Sequence, residues 1–114
     1  MAVLSPHLRA IENAHDYLGL SYQKLAQAIL ADESTLHRWR SGSEPSPVFV
    51  ARLEALEEFL TELRKTFRRP QAAREWLETE VPALKGRRPT ELIGEGRIEM
   101  LTGILYALNS GMAP

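Results

Sequence analysis

The sequence has no cysteine. This absence excludes disulfide frameworks, thiolate nucleophiles and cysteine-based zinc or iron–sulfur sites. No apolar run approaches the roughly 18 residues of a membrane-spanning helix, and the N-terminus lacks the pattern of a secretion signal. Runs of alternating β-branched residues are also missing, so no strand is predicted. We therefore expect an all-α, cytoplasmic protein that is neither exported nor inserted in a membrane.

Groups that carry catalysis or bind metals are scarce as well. The three histidines, His7, His15 and His37, have no second ligand at metal-binding spacing on the same helix. No glycine-rich phosphate loop follows a strand, and the glutamates fall mostly on outward helix faces. The net charge of −1 gives no bulk attraction for nucleic acid. We expect no enzyme activity, no cofactor and no metal site, and DNA binding would require local placement of cations.

A helical pattern runs through the 114 residues. The spacing of apolar residues predicts a first helix over about 6–18, a second capped by Ser21 and a third capped by Asp32. The segment Ser43–Pro47 then breaks the pattern, because proline lacks the amide donor and disfavours helix in the residue before it. This segment is predicted to join two halves of the chain.

A long helix is predicted after the break, with an apolar stripe whose members alternate in steps of four and three residues. The stripe consists of Phe49, Leu53, Leu56, Leu60, Leu63 and Phe67. It is the spine of the fold, or in part a surface that pairs with a second copy of the chain, and the two uses can coexist. For the second possibility, the candidate dimerisation residues are Phe49, Leu53, Leu56 and Leu60.

Residues 67–108 carry an unusual series of blocks. Pro-x-Ala-Ala-Arg-x-Trp-Leu at 70–77 is followed by Leu-x-Gly-Arg-x-Pro at 84–89, an acidic turn at 94–96 and an apolar helix. The series resembles the toxin-binding domain of the Xre/MbcA/ParS antitoxins of bacterial toxin–antitoxin systems. The resemblance implies a helix-turn-helix module over 1–45, a connecting helix over 46–69 and a toxin-binding domain over 70–114. It also implies that the chain silences a partner toxin, most commonly a RES-type, NAD-consuming one.

The segment Ser21–Gly42 is similar to the helix-turn-helix of Xre-type regulators, with small and apolar residues where its two helices cross. The similarity implies that the second helix of the motif lies in the major groove of DNA. The candidate DNA contacts are Gln23, Lys24, Ser34, Thr35, His37, Arg38 and Arg40. The alternative is a three-helix scaffold that does not bind DNA.

Two segments are candidates for contact with the toxin. A site built for the NAD pyrophosphate accepts acidic groups better than cations, so we expect the C-terminal tail, with its carboxylate, to enter it. The basic loop would then contact an acidic rim, unless it is only a solvated turn. The tail from residue 109 is expected to be loose. The candidate toxin contacts are Lys85, Gly86, Arg87, Arg88, Leu108, Asn109, Ser110, Gly111, Met112, Ala113 and Pro114.

Trp39, Arg74, Trp76 and Glu95 are predicted to build the fold. Trp76 is expected in the core, with its indole N–H bonded to a carbonyl. Arg74 is expected to hold the 80–89 loop, with Glu95 as a candidate partner. Two other functions are compatible with the sequence: a stand-alone helix-turn-helix regulator whose C-terminal half only dimerises, and a structural adaptor.

Overall fold

The computed structural model describes residues 6–111, and within them it contains seven α-helices, one 3-10 helix and no strand. The α-helices are α1 Pro6–Leu18, α2 Tyr22–Ala28, α3 Glu33–Arg40, α4 Pro47–Thr66, α5 Pro70–Leu77, α6 Pro89–Gly94 and α7 Ile98–Asn109. The 3-10 helix spans Pro82–Leu84. The all-α prediction is confirmed.

The helix ends follow the predicted start and stop signals. Ser21 caps α2 with its hydroxyl, which accepts a hydrogen bond from the backbone N–H of Lys24 at 3.1 Å. Asp32 occupies the corresponding position before α3, but its side chain makes no capping bond. The prolines at positions 47, 70 and 89 each begin a helix, where the missing N–H has no carbonyl to meet.

The long helix α4 is the centre of a single hydrophobic core. It packs against α7 on one side and α1 on another, while α2 contacts both α3 and α6. Leu53, Leu56 and Leu60 on α4 are 1%, 1% and 2% exposed, and Phe49 packs edge-on against Trp39. Leu53, Leu56 and Leu60 therefore belong to the core of one chain and are not available for dimerisation, while Phe49 is only partly buried against that core.

Arg52 on α4 joins the N-terminal and C-terminal parts of the fold. Its Nη2 donates to the backbone oxygen of Ala28 at 3.1 Å and to that of Gly96 at 2.8 Å. Its Nη1 lies 2.5 Å from Oε2 of Glu99 on α7. One guanidinium thus satisfies the last carbonyl of α2 and the turn before α7, which are more than sixty residues apart in sequence.

Arg74 holds a different element from the one predicted. Its guanidinium donates to the backbone oxygens of Asp16 and Tyr17 at the end of α1, at 2.9 and 3.1 Å. The prediction that it binds Glu95 is wrong, because the carboxylate of Glu95 is bonded by Arg87 and Arg97. A cation is favourable at a helix C-terminus, where carbonyls lack partners.

Trp76 is half-buried rather than a core residue. Its ring packs against Phe67, with the ring centres 5.7 Å apart, and one edge lines a surface groove. Within residues 6–111 its indole N–H has no hydrogen-bond partner, so the predicted carbonyl bond is not formed. Within the same residues no helix has both the length and the apolar composition required to cross a bilayer.

Candidate protein-binding surface on the last helix

Helix α7 is apolar on two opposite faces. Ile98, Leu101 and Leu105 are each 0% exposed and form the face that packs inward. On the other side Tyr106 is 58% exposed and Leu108 is 44% exposed, as is Met100. Met100 and Leu108 border the grooves described next, whereas Tyr106 borders a separate one with Glu58, Glu99, Thr102 and Gly103. Exposed apolar side chains grouped in this way are frequent at protein-binding sites.

Two adjoining grooves run along this outward face. One has a volume of about 450 Å³ and is lined by Trp76, Val81, Pro82, Ala83, Ile104 and Leu108. The other has a volume of about 320 Å³ and is lined by Ala83, Met100, Gly103, Ile104 and Ala107. Ala83 and Ile104 line both, so the grooves form one surface between α7 and the 3-10 helix. We call it the α7 groove.

Gly103 lines one part of the α7 groove and has no side chain to cover the helix backbone there. A methyl group placed there would have no atom within 4 Å. Glycine in the middle of a helix costs about 1 kcal/mol relative to alanine. Packing within the chain does not require the missing side chain, and its absence allows another molecule to approach the helix backbone closely.

The C-terminal end of α7 is fixed to α4 by a polar cluster. The Asn109 side-chain amide donates to Oε2 of Glu62 at 2.9 Å, and the Thr66 hydroxyl donates to Oδ1 of Asn109 at 3.0 Å. Glu62 is only 6% exposed. The prediction of a loose tail from residue 109 is therefore wrong for Asn109, which ends the helix; Met112, Ala113 and Pro114 lie outside the described residues.

The basic loop is held in a defined shape. Val81 and Arg87 pair in an antiparallel bridge, and Lys85 adopts the left-handed conformation with φ of 58°. The Arg87 guanidinium bonds the Glu95 carboxylate, which raises the pKa of Arg87 and lowers that of Glu95. Arg87 is thus engaged within the chain, while Lys85 and Arg88 are exposed.

The loop and the tail lie at opposite ends of α7. Lys85 and Arg87 line a groove of about 280 Å³ together with Arg97 and Met100, which are at the start of the helix. The helix has 12 residues, so its two ends are about 18 Å apart at ~1.5 Å per residue. One flat partner surface would have to cover the whole outward face to meet both segments.

Sequence reasoning missed several residues of this surface. Met100, Gly103, Ile104, Tyr106 and Ala107 were not among the predicted toxin contacts. The available signal was composition: α7 has apolar side chains around most of its circumference. Such a helix is buried on all sides in its functional state.

The predicted DNA contacts divide into free and engaged side chains. Gln23, Ser34, His37 and Arg38 are exposed. Thr35 is only 8% exposed, and its hydroxyl accepts a hydrogen bond from Arg38.

Arg40 is exposed but also bonded within the chain. Its Nε lies 3.2 Å from a Glu12 carboxylate oxygen, and its guanidinium stacks over Tyr22, whose pKa is raised by burial and by its hydrogen bond to Glu12. Lys24 is half-buried, with its ammonium beside Gly94 on α6. Among residues 6–111 no group of acidic and histidine side chains could hold a metal ion.

Comparison with known proteins bears on the fold. No protein-family model matches the sequence, and no curated protein matches it. Among solved structures, the chain is similar to one in the crystal structure of the M. tuberculosis MbcT–MbcA toxin–antitoxin complex. The TM-score is 0.69 at 21% sequence identity, with 96% of this chain and 99% of that chain covered. The fold is therefore one that occurs in a toxin–antitoxin complex, in agreement with the resemblance seen in the sequence.

Proposed function

We propose that this chain is a cytoplasmic antitoxin that binds a cognate toxin and blocks it, without catalysing a reaction itself. One observation carries the proposal: the fold occurs in a toxin–antitoxin complex, and here it presents an uncovered apolar groove on α7. Among the exposed large hydrophobic side chains of the described residues, three belong to this one helix. A stand-alone regulator would use such a surface only to pair with a second copy of the chain.

The α7 groove has the composition of the centre of a protein interface. Met100 and Leu108 line it and are each 44% exposed, and burying a side chain of this size contributes roughly 1.5–3 kcal/mol. Aromatic residues and methionine are enriched at interfaces, while charged residues are depleted at their centres. The exposed cations Lys85 and Arg97 line the neighbouring groove that shares Ala83 and Met100 with the α7 groove, and charges at such an edge affect association rate more than affinity.

The inhibitory element is proposed to be the C-terminal tail, residues 110–114. The toxin is proposed to be of the RES type, which consumes NAD and needs a pocket for the pyrophosphate. Residues 110–114 carry no charged side chain, so they would enter such a pocket without placing a cation at its anion-binding groups. Asn109, fixed to Glu62, would set the point at which the tail leaves the fold.

Co-expression with the protein encoded by the adjacent reading frame tests the proposal. We expect that protein to arrest growth and lower cellular NAD when expressed alone, and expect this chain to restore growth and to co-purify with it. If the neighbour is harmless and the two proteins do not co-purify, the antitoxin function is rejected in favour of a regulator.

Deleting residues 110–114 is expected to separate binding from inhibition. The truncated chain keeps Asn109 and the α7 groove, so it should co-purify with the toxin with an affinity loss of about tenfold at most. It should nevertheless fail to restore growth, because nothing then fills the toxin's pocket. Deletion from residue 109 should also lower thermal stability, since it leaves Glu62 without its amide partner. Full rescue by the chain that lacks 110–114 would show that the tail is not the inhibitory element.

We also propose that α3 binds operator DNA and that the chain represses its own operon. Ser34, His37 and Arg38 favour this, because they are exposed and follow one another along α3. The net charge of the protein does not itself favour DNA binding. Reading a two-fold operator needs two copies. A homodimer must then use a surface other than the buried stripe of α4, or form within the toxin complex.

Arg38→Ala is expected to abolish sequence-specific DNA binding. A bidentate arginine–guanine contact discriminates by about 1–3 kcal/mol, so affinity for the operator should fall roughly 10- to 100-fold. Gel-shift titration with promoter DNA measures this loss. Glu33→Ala is the control with the opposite expected effect, stronger DNA binding, because it removes a carboxylate that repels phosphate at the start of the same helix. Equal shifts for the native chain and Arg38→Ala would rule out reading by α3.

A further inference from the structure

Four cations lie within six positions at the junction of α4 and α5. These are Arg64, Lys65, Arg68 and Arg69, and no acidic residue falls between positions 63 and 74. Because the whole chain carries −1 and these four carry +4, the rest of the protein carries −5. All four are exposed. We call this group the basic patch.

The fold makes little use of these charges. Within residues 6–111, Arg68 and Arg69 form no ion pair and no side-chain hydrogen bond. Arg64 stacks over the ring of Tyr17 at 5.1 Å, and Lys65 lies 3.6 Å from Glu62 but is 59% exposed. Exposed pairs of this kind contribute little to stability.

Two of the cations are placed unfavourably for the fold itself. Arg69 is the residue before the first turn of α5, and Arg68 precedes it. The N-terminus of a helix carries partial positive charge, so cations there are destabilising, and α5 has no acidic residue in its first turn to offset them. Intramolecular stability therefore does not explain the basic patch, whereas an acidic partner would.

The basic patch adjoins the point where the tail leaves α7. Glu62 is shared by the two elements: Lys65 Nζ lies 3.6 Å from one carboxylate oxygen, and Asn109 donates to the other at 2.9 Å. Thr66, in the last turn of α4, also bonds Asn109. A molecule that receives the tail must therefore come within reach of these cations.

The same location argues against nucleic acid as the partner. Helix α3 packs at the other end of α4, through the contact between Trp39 and Phe49. From Phe49 to Thr66 the helix rises about 25 Å at ~1.5 Å per residue. That distance exceeds the Debye length of about 8 Å at physiological ionic strength, so the phosphates in contact with α3 gain little from the basic patch, and only a duplex that also runs along α4 would meet it.

We propose that the basic patch is the electrostatic docking site for an acidic surface of the toxin, beside the pocket that the tail enters. The inference rests on the proposed function. It moves the predicted rim contact from the 85–88 loop, which lies at the other end of α7, to Arg64, Lys65, Arg68 and Arg69. Charges at a rim mainly steer association, so the effect should appear in the association rate and depend on salt.

Arg68→Glu combined with Arg69→Glu tests the inference on the full-length chain. Binding to the purified protein of the adjacent reading frame is measured by surface plasmon resonance at low and high ionic strength. We expect the association rate constant to fall about tenfold or more at low salt and by less than about twofold at ~0.5 M salt, with little change in dissociation. Thermal denaturation should show equal or higher stability, because glutamate is favourable at the start of α5.

Arg38→Glu is the matched control, since it makes the same kind of charge reversal at the far end of α4. It should leave toxin association unchanged and weaken DNA binding. If the native chain binds the toxin and the Arg68→Glu/Arg69→Glu variant binds equally fast at low salt, the docking site is rejected and the antitoxin proposal stands. Loss of DNA binding by that variant with unchanged toxin association would reassign the basic patch to nucleic acid. No binding by the native chain would reject both proposals.

Discussion

Gly103→Gln is expected to stabilise the free protein and to reduce its affinity for the toxin about 100-fold. The added side chain meets no atom of the chain within 4 Å at its first carbon, and glutamine is a better helix former than glycine by several tenths of a kcal/mol. In the complex the same side chain would fill the part of the α7 groove that Gly103 lines and hold the partner away from Ala107 and Ile104. Losses of about 2–3 kcal/mol are typical when the centre of an interface is disrupted. Thermal denaturation and titration calorimetry measure the two effects separately.

Ala51→Gln is the matched control for this substitution. Ala51 is exposed in α4 and lines none of the grooves beside α7, so it receives the same side chain on a helix that is not proposed to bind. Its toxin affinity should equal that of the native chain. If Gly103→Gln binds as tightly as this control while its stability rises, the toxin does not dock on α7. A loss of stability in Gly103→Gln would contradict the open space that the structure places at this position.

The helices could be predicted from the sequence because their signals are local. Prolines at 47, 70 and 89 and the glycines at 19, 42 and 96 punctuate the chain, and each lies at the end or turn that its backbone chemistry favours. The heptad-like stripe of α4 correctly indicated a helix with one apolar side. It could not indicate which elements would cover that side. The same spacing is compatible with packing against a second copy and with packing against the chain's own α1 and α7.

The bonds of the charged side chains could not be predicted, because they depend on how distant elements meet. Helix α5 places Arg74 opposite the carbonyls at the end of α1, and one of them belongs to Tyr17, 57 residues earlier in the sequence. Arg74 bonds these carbonyls and not an acidic side chain. Arg52 was not identified at all, although it joins Ala28, Gly96 and Glu99. Nothing in the spacing along one helix distinguishes an arginine that crosses the fold from one on a solvated face.

The candidate site was located only in part for the same reason. The loop at 85–88 and the tail both attract attention as unusual segments, and the residues before the tail end a helix about 18 Å long whose other end lies near the loop. The apolar residues between them, from Met100 to Ala107, have the composition of a buried helix. Whether such a helix is covered by its own chain or by another molecule depends on tertiary packing.

Gly96→Ala is expected to destabilise the protein by about 2–5 kcal/mol, the largest stability effect that we predict for a single methyl group. Gly96 has φ of 72°, and an added Cβ would lie 2.2 Å from Cδ2 of Leu30 and 3.2 Å from the backbone oxygen of Gln27. Either the Leu30 side chain must swing aside or the turn must move away from residues 27–30, and the backbone oxygen of Gln27 limits the first solution. Movement of the turn would also weaken the hydrogen bond from Arg52 to the Gly96 oxygen, which joins the two parts of the fold. Chemical denaturation of the native and substituted chains measures the loss.

Two further variants separate backbone strain from the clash. Gly86→Ala has a similar φ of 83° but meets nothing within 4 Å, so it should cost only the conformational strain of about 1–2 kcal/mol. Combining Gly96→Ala with Leu30→Ala removes the colliding side-chain atoms. The double variant should therefore regain most of the stability by which Gly96→Ala falls below Gly86→Ala. Leu30 is 63% exposed, so its own truncation costs little. Equal losses for Gly96→Ala and Gly86→Ala would mean that Leu30 moves aside freely. In that case the contact between α2 and the turn before α7 does not hold the two parts of the fold together.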